Sequence, residues 1–132
     1  KGIDLVLVDA FDTEGFAPAL SNREFLETAH AKLSGSGMLV INLAGDEARY
    51  AGLVAMVMDV FDSQVIVIAV REDDNHVLLA FKERDFTPDW RRVQAQAKVL
   101  RSRMGLDFPL FAQMLERSMK LGVAEREALR NR

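Results

Sequence analysis

With 132 residues, 49% of them hydrophobic and 28% charged, the chain carries enough apolar material for one modest globular core. It contains no cysteine, which excludes a disulfide framework and thiolate metal sites and suits a cytoplasmic setting. No apolar run approaches the ~20 residues that cross a bilayer, so no membrane partner is expected.

Charge is unevenly placed. Residues 1–81 hold 5 basic and 13 acidic side chains, a net of −8, whereas residues 82–132 hold 12 basic and 7 acidic, a net of +5. This division suggests an acidic domain over 1–84 followed by a basic helical tail over 85–132. An acidic face suits a cationic small molecule, although loop acids on one part and solvated helix charges on the other give the same division.

Ile3–Asp9 is an almost continuous apolar run of the kind buried on both faces of a parallel sheet. A chain that opens at Lys1 directly before such a strand reads as an expression fragment, a cleaved product or the ordered part of something longer. Asp12–Leu20 is expected to be a loop, with Gly15 and Pro18 in it. Ser21-Asn22-Arg23-Glu24 has capping-box spacing, and Phe25, Leu26, Ala29 and Leu33 then form one apolar helix stripe. Gly35 and Gly37 are expected to end that helix with left-handed caps near Ser34. Met38–Leu43 is a second strand and Glu47–Phe61 a helix whose inner side carries Leu53, Val54, Val57, Met58 and Phe61. Gln64–Val70 and His76–Lys82 are strands joined by the polar turn Arg71–Asn75, and are therefore antiparallel. The fold class is α/β: a mostly parallel sheet with an antiparallel last strand, followed by C-terminal helices. Beyond Lys82 the pattern is helical, with Thr87 as cap and Pro88 as first-turn proline before a helix over about Asp89–Arg103. Gly105 is a break, a second helix runs from Phe108-Pro109 to about Gly122, and Ala124–Arg130 forms a short third.

The most informative segment is Val8-Asp9-Ala10-Phe11-Asp12. It is followed by the Gly15 to Pro18 loop, by Glu24-Phe25 at a helix start, and by Gly37-Met38-Leu39-Val40 entering the next strand. Over residues 3–82 this succession resembles the spermidine synthase-like (polyamine aminopropyltransferase) family, in the C-terminal half of its class I methyltransferase-like Rossmann fold. The resemblance implies a transferase that moves an aminopropyl group from decarboxylated S-adenosylmethionine, a co-substrate rather than a permanently bound cofactor, to a small-molecule amine. It assigns Asp9 as the catalytic carboxylate that accepts the amine's proton and aims its lone pair. Asp12 and Phe11 would contact the amine substrate, and Asp9 and Ala10 the nucleoside co-substrate. Read from position alone, Asp9 at a strand end is also able to cap the loop that follows.

Certain residues depart from the family pattern. Ala10 and Phe11 stand where the family has small hydroxylic residues, and Thr13 stands where it has proline. The Arg71–Asn75 turn is short where the family has a longer loop with a tyrosine, and the one tyrosine here is Tyr50. These differences leave the acceptor open and keep two alternatives: a methyltransferase using S-adenosylmethionine, and a non-catalytic oligomerising α/β domain. No glycine-rich nucleotide loop occurs, so the isolated fragment is expected to be inactive. His30 and His76 have no partner at metal-ligand spacing, and no metal site is expected. Arg91, Arg92, Arg101 and Arg103 are interleaved with apolar residues at helical spacing. They fit a solvated helix face, or docking onto the acidic domain, better than a nucleic-acid surface. Leu5–Val8, as an apolar sheet edge, invites pairing with another copy, so a homo-oligomer joined through strand 3–9 is expected.

Overall fold

The computed structural model describes residues 2–12, 15–45, 47–70 and 75–130, with side chains described at 2–10, 17–45, 48–70 and 75–122. The chain forms two compact units that meet in sequence between Phe86 and Thr87.

The first unit is built on a four-stranded sheet. β1 (Ile3–Val8) is followed by the two-residue strands β2 (Phe11–Asp12) and β3 (Gly15–Phe16), by a 3-10 turn at Pro18–Leu20 and by α1 (Arg23–Lys32). β4 (Leu33–Ala44), α2 (Glu47–Val60), β5 (Val65–Ala69) and β6 (Asn75–Phe81) complete it. The strand order is β1-β4-β6-β5. β1 runs parallel to β4, whereas β6 runs antiparallel to both β4 and β5. The antiparallel strand thus lies inside the sheet, between two strands that share a direction, and the connection through α2 skips the position it fills.

Alternation along β4 explains the core. Leu39, Ile41 and Leu43 share one face of the strand and are 0–1% exposed. They join Leu26 of α1, Leu53, Val57 and Phe61 at and beyond α2, and Leu78 and Ala80 of β6 in one cluster. Met58, expected on the inner side of α2, is 42% exposed, because the inward stripe runs through Leu53, Val57 and Phe61 instead. α1 and α2 are further linked by Arg23, whose guanidinium meets the Asp59 carboxylate at 2.5 Å. Both side chains are largely exposed, so this pair contributes little to stability.

Several local expectations change. α1 is capped by Asn22, whose side chain accepts the Phe25 N–H at 2.8 Å; the Ser21 hydroxyl instead donates back to the Pro18 carbonyl. The helix ends at Lys32 with Leu33 already extended, and Gly35 and Gly37 belong to β4 rather than to a left-handed cap. Pairing explains why. The β1–β4 register jumps from Ile3↔Leu33 to Leu5↔Met38, so the glycine segment is a bulge in the ladder. A Cβ on Gly37 would stand 2.9 Å from the Ile3 carbonyl oxygen, whereas one on Gly35 would meet nothing within 4 Å. β1 is not buried on both faces. It is an edge strand with Ile3, Leu5 and Leu7 46%, 47% and 69% exposed, while Val8 faces the core. The Arg71–Asp74 part of the expected turn lies outside the described residues; across it, Val70 N–H donates to the Asn75 carbonyl at 2.8 Å.

The second unit is a helical hairpin of α3 (Trp90–Met104) and α4 (Phe108–Arg130). Asp89, not Thr87, caps α3 by accepting the Arg92 N–H, and Gly105 ends it at φ 71°. α4 continues through Gly122 and Ala124 as one helix rather than two. Ala97 and Ala112 are 5% and 3% exposed, and such small residues let helices approach closely. Arg91, Arg92, Arg101 and Arg103 are exposed. No described helix is long and apolar enough to cross a membrane.

The two neighbouring glycines give a paired test. Gly37→Ala should destabilise the chain by roughly 1–3 kcal/mol in a denaturant titration, since the backbone of β1 must move. Gly35→Ala should be neutral or stabilising, because it only reduces the freedom of the unfolded chain.

Candidate functional site

Ligand sites in sheets of this kind form beyond the carboxyl ends of the parallel strands. Here those ends are Val8-Asp9 and Leu43-Ala44. The parallel register aligns Val8 with Ile41, which brings Asp9 beside Asn42. The Asn42 side-chain amide donates to the Asp9 carboxylate, Nδ2 to Oδ1, at 3.1 Å. Asp9 is exposed and Asn42 half-buried, so the carboxylate combines one fixed partner with access to solvent.

After Asp9 the chain turns back on itself. β2 and β3 pair antiparallel, Phe11 opposite Phe16 and Asp12 opposite Gly15, and Ala17 N–H donates to the Ala10 carbonyl at 3.1 Å. The expected loop is therefore a small hairpin followed by the 3-10 turn. It anchors the backbone of Asp12 three residues beyond Asp9. The side chains of Phe11 and Asp12 lie outside the described residues. Ala10 packs partly against the core cluster and holds the hairpin base through its carbonyl. Four of the residues singled out in the sequence thus fall on one connection at one sheet end.

Two further polar groups occupy this end of the sheet without having been singled out. One is Asn42, the sole side chain between Met38 and Ala44 with a hydrogen-bonding group. A lone amide in an otherwise apolar strand was the available signal. The other is Tyr50, 7% exposed on α2, whose hydroxyl lies 2.8 Å from His76 Nδ1 on β6. His76 stands opposite Leu43 on β4, and together with Val54, Met58 and Val67 the pair lines a recess of about 330 Å³. Opposite residues of a ladder share a face, so His76 lies on the core side of the sheet and Asn42, paired with Val77, on the other. The Tyr50–His76 pair and the Asp9–Asn42 pair are therefore on opposite faces. Among the described residues no group of three or more His, Asp and Glu is arranged to hold a metal ion.

His30 lies away from this end, on α1, with its ring edge-on to Phe61 at 5.0 Å. Burial lowers its pKa, the nearby Lys82 ammonium lowers it further, and Asp62 opposes both. It is a half-buried ring packed against Phe61 at the margin of the core.

No protein-family model matches the chain. Among curated proteins, it is 29% identical over 115 residues to a polyamine aminopropyltransferase of Chromobacterium violaceum, an alignment covering 87% of this chain and 44% of that protein. It is 28% identical over 105 residues to a polyamine aminopropyltransferase of Neisseria meningitidis, covering 80% and 40%. The chain thus spans less than half the length of these relatives. Among solved structures, human methyltransferase-like protein 13 in complex with SAH superposes with a TM-score of 0.60 at 18% identity, covering 89% of this chain and 48% of that one. A probable spermidine synthase from Corynebacterium glutamicum superposes at 0.53 with 25% identity, covering 74% and 38%.

Substituting Phe for Tyr50 keeps the ring and removes only the hydroxyl. This should cost about 1 kcal/mol of stability in urea unfolding, and a variant as stable as the parent would show that the bond to His76 contributes nothing.

Proposed function

Since the chain is spermidine synthase-like, with a class I methyltransferase-like Rossmann sheet, we propose that Asp9 is the proton-accepting carboxylate of an aminopropyltransferase site. The observation that carries this reading is an exposed carboxylate at the C-terminal tip of β1, held on one oxygen by Asn42 of the neighbouring parallel strand.

The chemistry explains the choice of residue. A primary aliphatic amine is protonated at neutral pH, and its nitrogen has no free lone pair. The Asp9 carboxylate attracts the ammonium, takes one proton from it and leaves the lone pair directed along the vacated N–H bond. The nitrogen then attacks the methylene carbon attached to the sulfonium of decarboxylated S-adenosylmethionine. A C–N bond forms, the C–S bond breaks, and the bonding electrons pass to sulfur as a neutral thioether. Two cations approach each other in this reaction, so a negative setting helps both. The net charge of −8 over residues 1–81 supplies it. In the same proposal Asp12 holds the amine or a second cationic group, Phe11 forms a pocket wall, and Ala10 lies against the nucleoside co-substrate. Ala10, Phe11 and Thr13 differ from the family's residues at the site, which favours an amine other than the family's usual polyamine acceptor. Cytoplasmic residence belongs to the same reading.

The test is an assay of the full-length protein with decarboxylated and ordinary S-adenosylmethionine in parallel, against a panel of mono-, di- and triamines. Aminopropyl product is expected from the decarboxylated donor, and Asp9→Asn should lower kcat by about 10²–10⁴-fold. Methylated product from the ordinary donor alone would replace the reading by methyl transfer. No product from either would leave a non-catalytic domain, and full activity of Asp9→Asn would remove the role given to Asp9.

Self-association is the second part of the proposal. Its support is the open edge of β1, with Ile3, Leu5 and Leu7 exposed side by side on one face. The 132-residue chain by itself should show a dimer mass in light scattering, reduced to a monomer by Leu5→Lys. A folded chain with the mass of one copy would contradict it.

A further inference from the structure

We infer that Asn42 is a positioning residue for the Asp9 carboxylate, an inference that rests on the catalytic reading of Asp9 above. Asparagine is among the residues least suited to a strand, and Asn42 stands in the run Met38-Leu39-Val40-Ile41-Asn42-Leu43-Ala44. Its neighbours on the ladder, Val77 on β6 and the β1 tip, offer apolar contact on one side and Asp9 on the other. A half-buried amide there is unfavourable unless it is hydrogen-bonded. The bond to Asp9 Oδ1 at 3.1 Å satisfies it.

The chemistry of the donor matters as much as its presence. A carboxylate oxygen accepts and cannot donate, so the amide end that meets Asp9 is the NH₂ group. A lysine or arginine at this position would neutralise the carboxylate and compete with an incoming ammonium. An aspartate would repel Asp9. A neutral amide does neither: it fixes Oδ1 and orients Oδ2 while leaving the negative charge intact for the substrate. Asp9 follows the last residue of β1, where an exposed carboxylate would otherwise rotate between orientations. Holding one oxygen therefore selects the geometry in which the other meets the amine, and misplacement by ~1 Å can cost about 10²-fold in rate. The bond spans 33 residues of sequence and joins the two parallel strands at their carboxyl ends. Its geometry is set by the same register that builds the core.

The test compares Asn42→Ala, Asn42→Asp, Asp9→Asn and the Asp9→Asn/Asn42→Ala double variant in the full-length protein, with decarboxylated S-adenosylmethionine and the best amine of the panel. Asn42→Ala should lower kcat on the order of 10–10²-fold with little change in KM for the donor. Asn42→Asp is nearly isosteric and would be tolerated in a purely packing role, yet it should be slower than Asn42→Ala. The double variant should be no slower than Asp9→Asn alone, because the two residues act as one unit. Loss of activity in Asp9→Asn with full kcat in Asn42→Ala or Asn42→Asp overturns the positioning role and leaves the reading of Asp9 standing. Full activity in Asp9→Asn overturns both, as does absence of product in the parent. The hydrogen bond is checked apart from activity by NMR of the ¹⁵N-labelled chain: Asp9→Ala should shift the Asn42 side-chain amide and leave those of Asn22 and Asn75 in place. An unmoved Asn42 signal overturns the inference.

Discussion

The pairing of β4 on both sides is the constraint from which the rest of the first unit follows. Twelve residues long, it carries β1 parallel on one side and β6 antiparallel on the other. Its inward face supplies Leu39, Ile41 and Leu43 to the core, all within 1% of full burial. Slipping this strand by one residue would turn those side chains to the opposite face, so the register is enforced by the apolar area at stake. The same register decides which residues stand together at the carboxyl ends. Asn42 meets Asp9 because Ile41 pairs with Val8, and His76 meets Tyr50 because it pairs with Leu43 on the face covered by α2. Core and site are two consequences of one alignment.

The sheet end then separates two environments. On the core face, Tyr50 and His76 share a bond in a setting built from Val54, Met58 and Val67. On the other face, Asp9 reaches solvent beyond the exposed row of Ile3, Leu5 and Leu7. In the proposed role, a carboxylate that receives a cation belongs on the second, where solvent and a neutral donor surround it. The acidic balance of residues 1–81 acts over a longer range and favours the same class of ligand. The basic helical hairpin of α3 and α4 has the opposite sign, and its arginines are exposed.

Much of this was legible in the sequence because apolar periodicity reports directly on burial. The runs at Ile3–Val8, Val65–Ala69 and Asn75–Phe81 and the stripe through Leu26 and Ala29 stand where that pattern put them. What was not legible depends on partners distant in sequence. Gly35 and Gly37 follow a helix and read as its cap, yet they form a bulge because β1 passes close to Gly37. β1 has the composition of a doubly buried strand and is an edge, since composition does not say what lies beside it. Asn22 rather than Ser21 caps α1, a choice between two adjacent good caps that is settled by backbone geometry. Asp9 was visible as a strand-end carboxylate in a recognisable motif. Asn42 was not, because its meaning comes only from a neighbour 33 residues away.

In the proposed reaction the Asp9 carboxylate receives a substrate amine at the open end of the sheet. A crystal structure of the full-length protein with an amine and the thioether product analogue of the donor tests it most directly. The amine nitrogen should lie within hydrogen-bond distance of Asp9, with the Asn42 amide still on Oδ1. An amine bound elsewhere, with Asp9 turned into its own loop to cap backbone N–H groups, would contradict it.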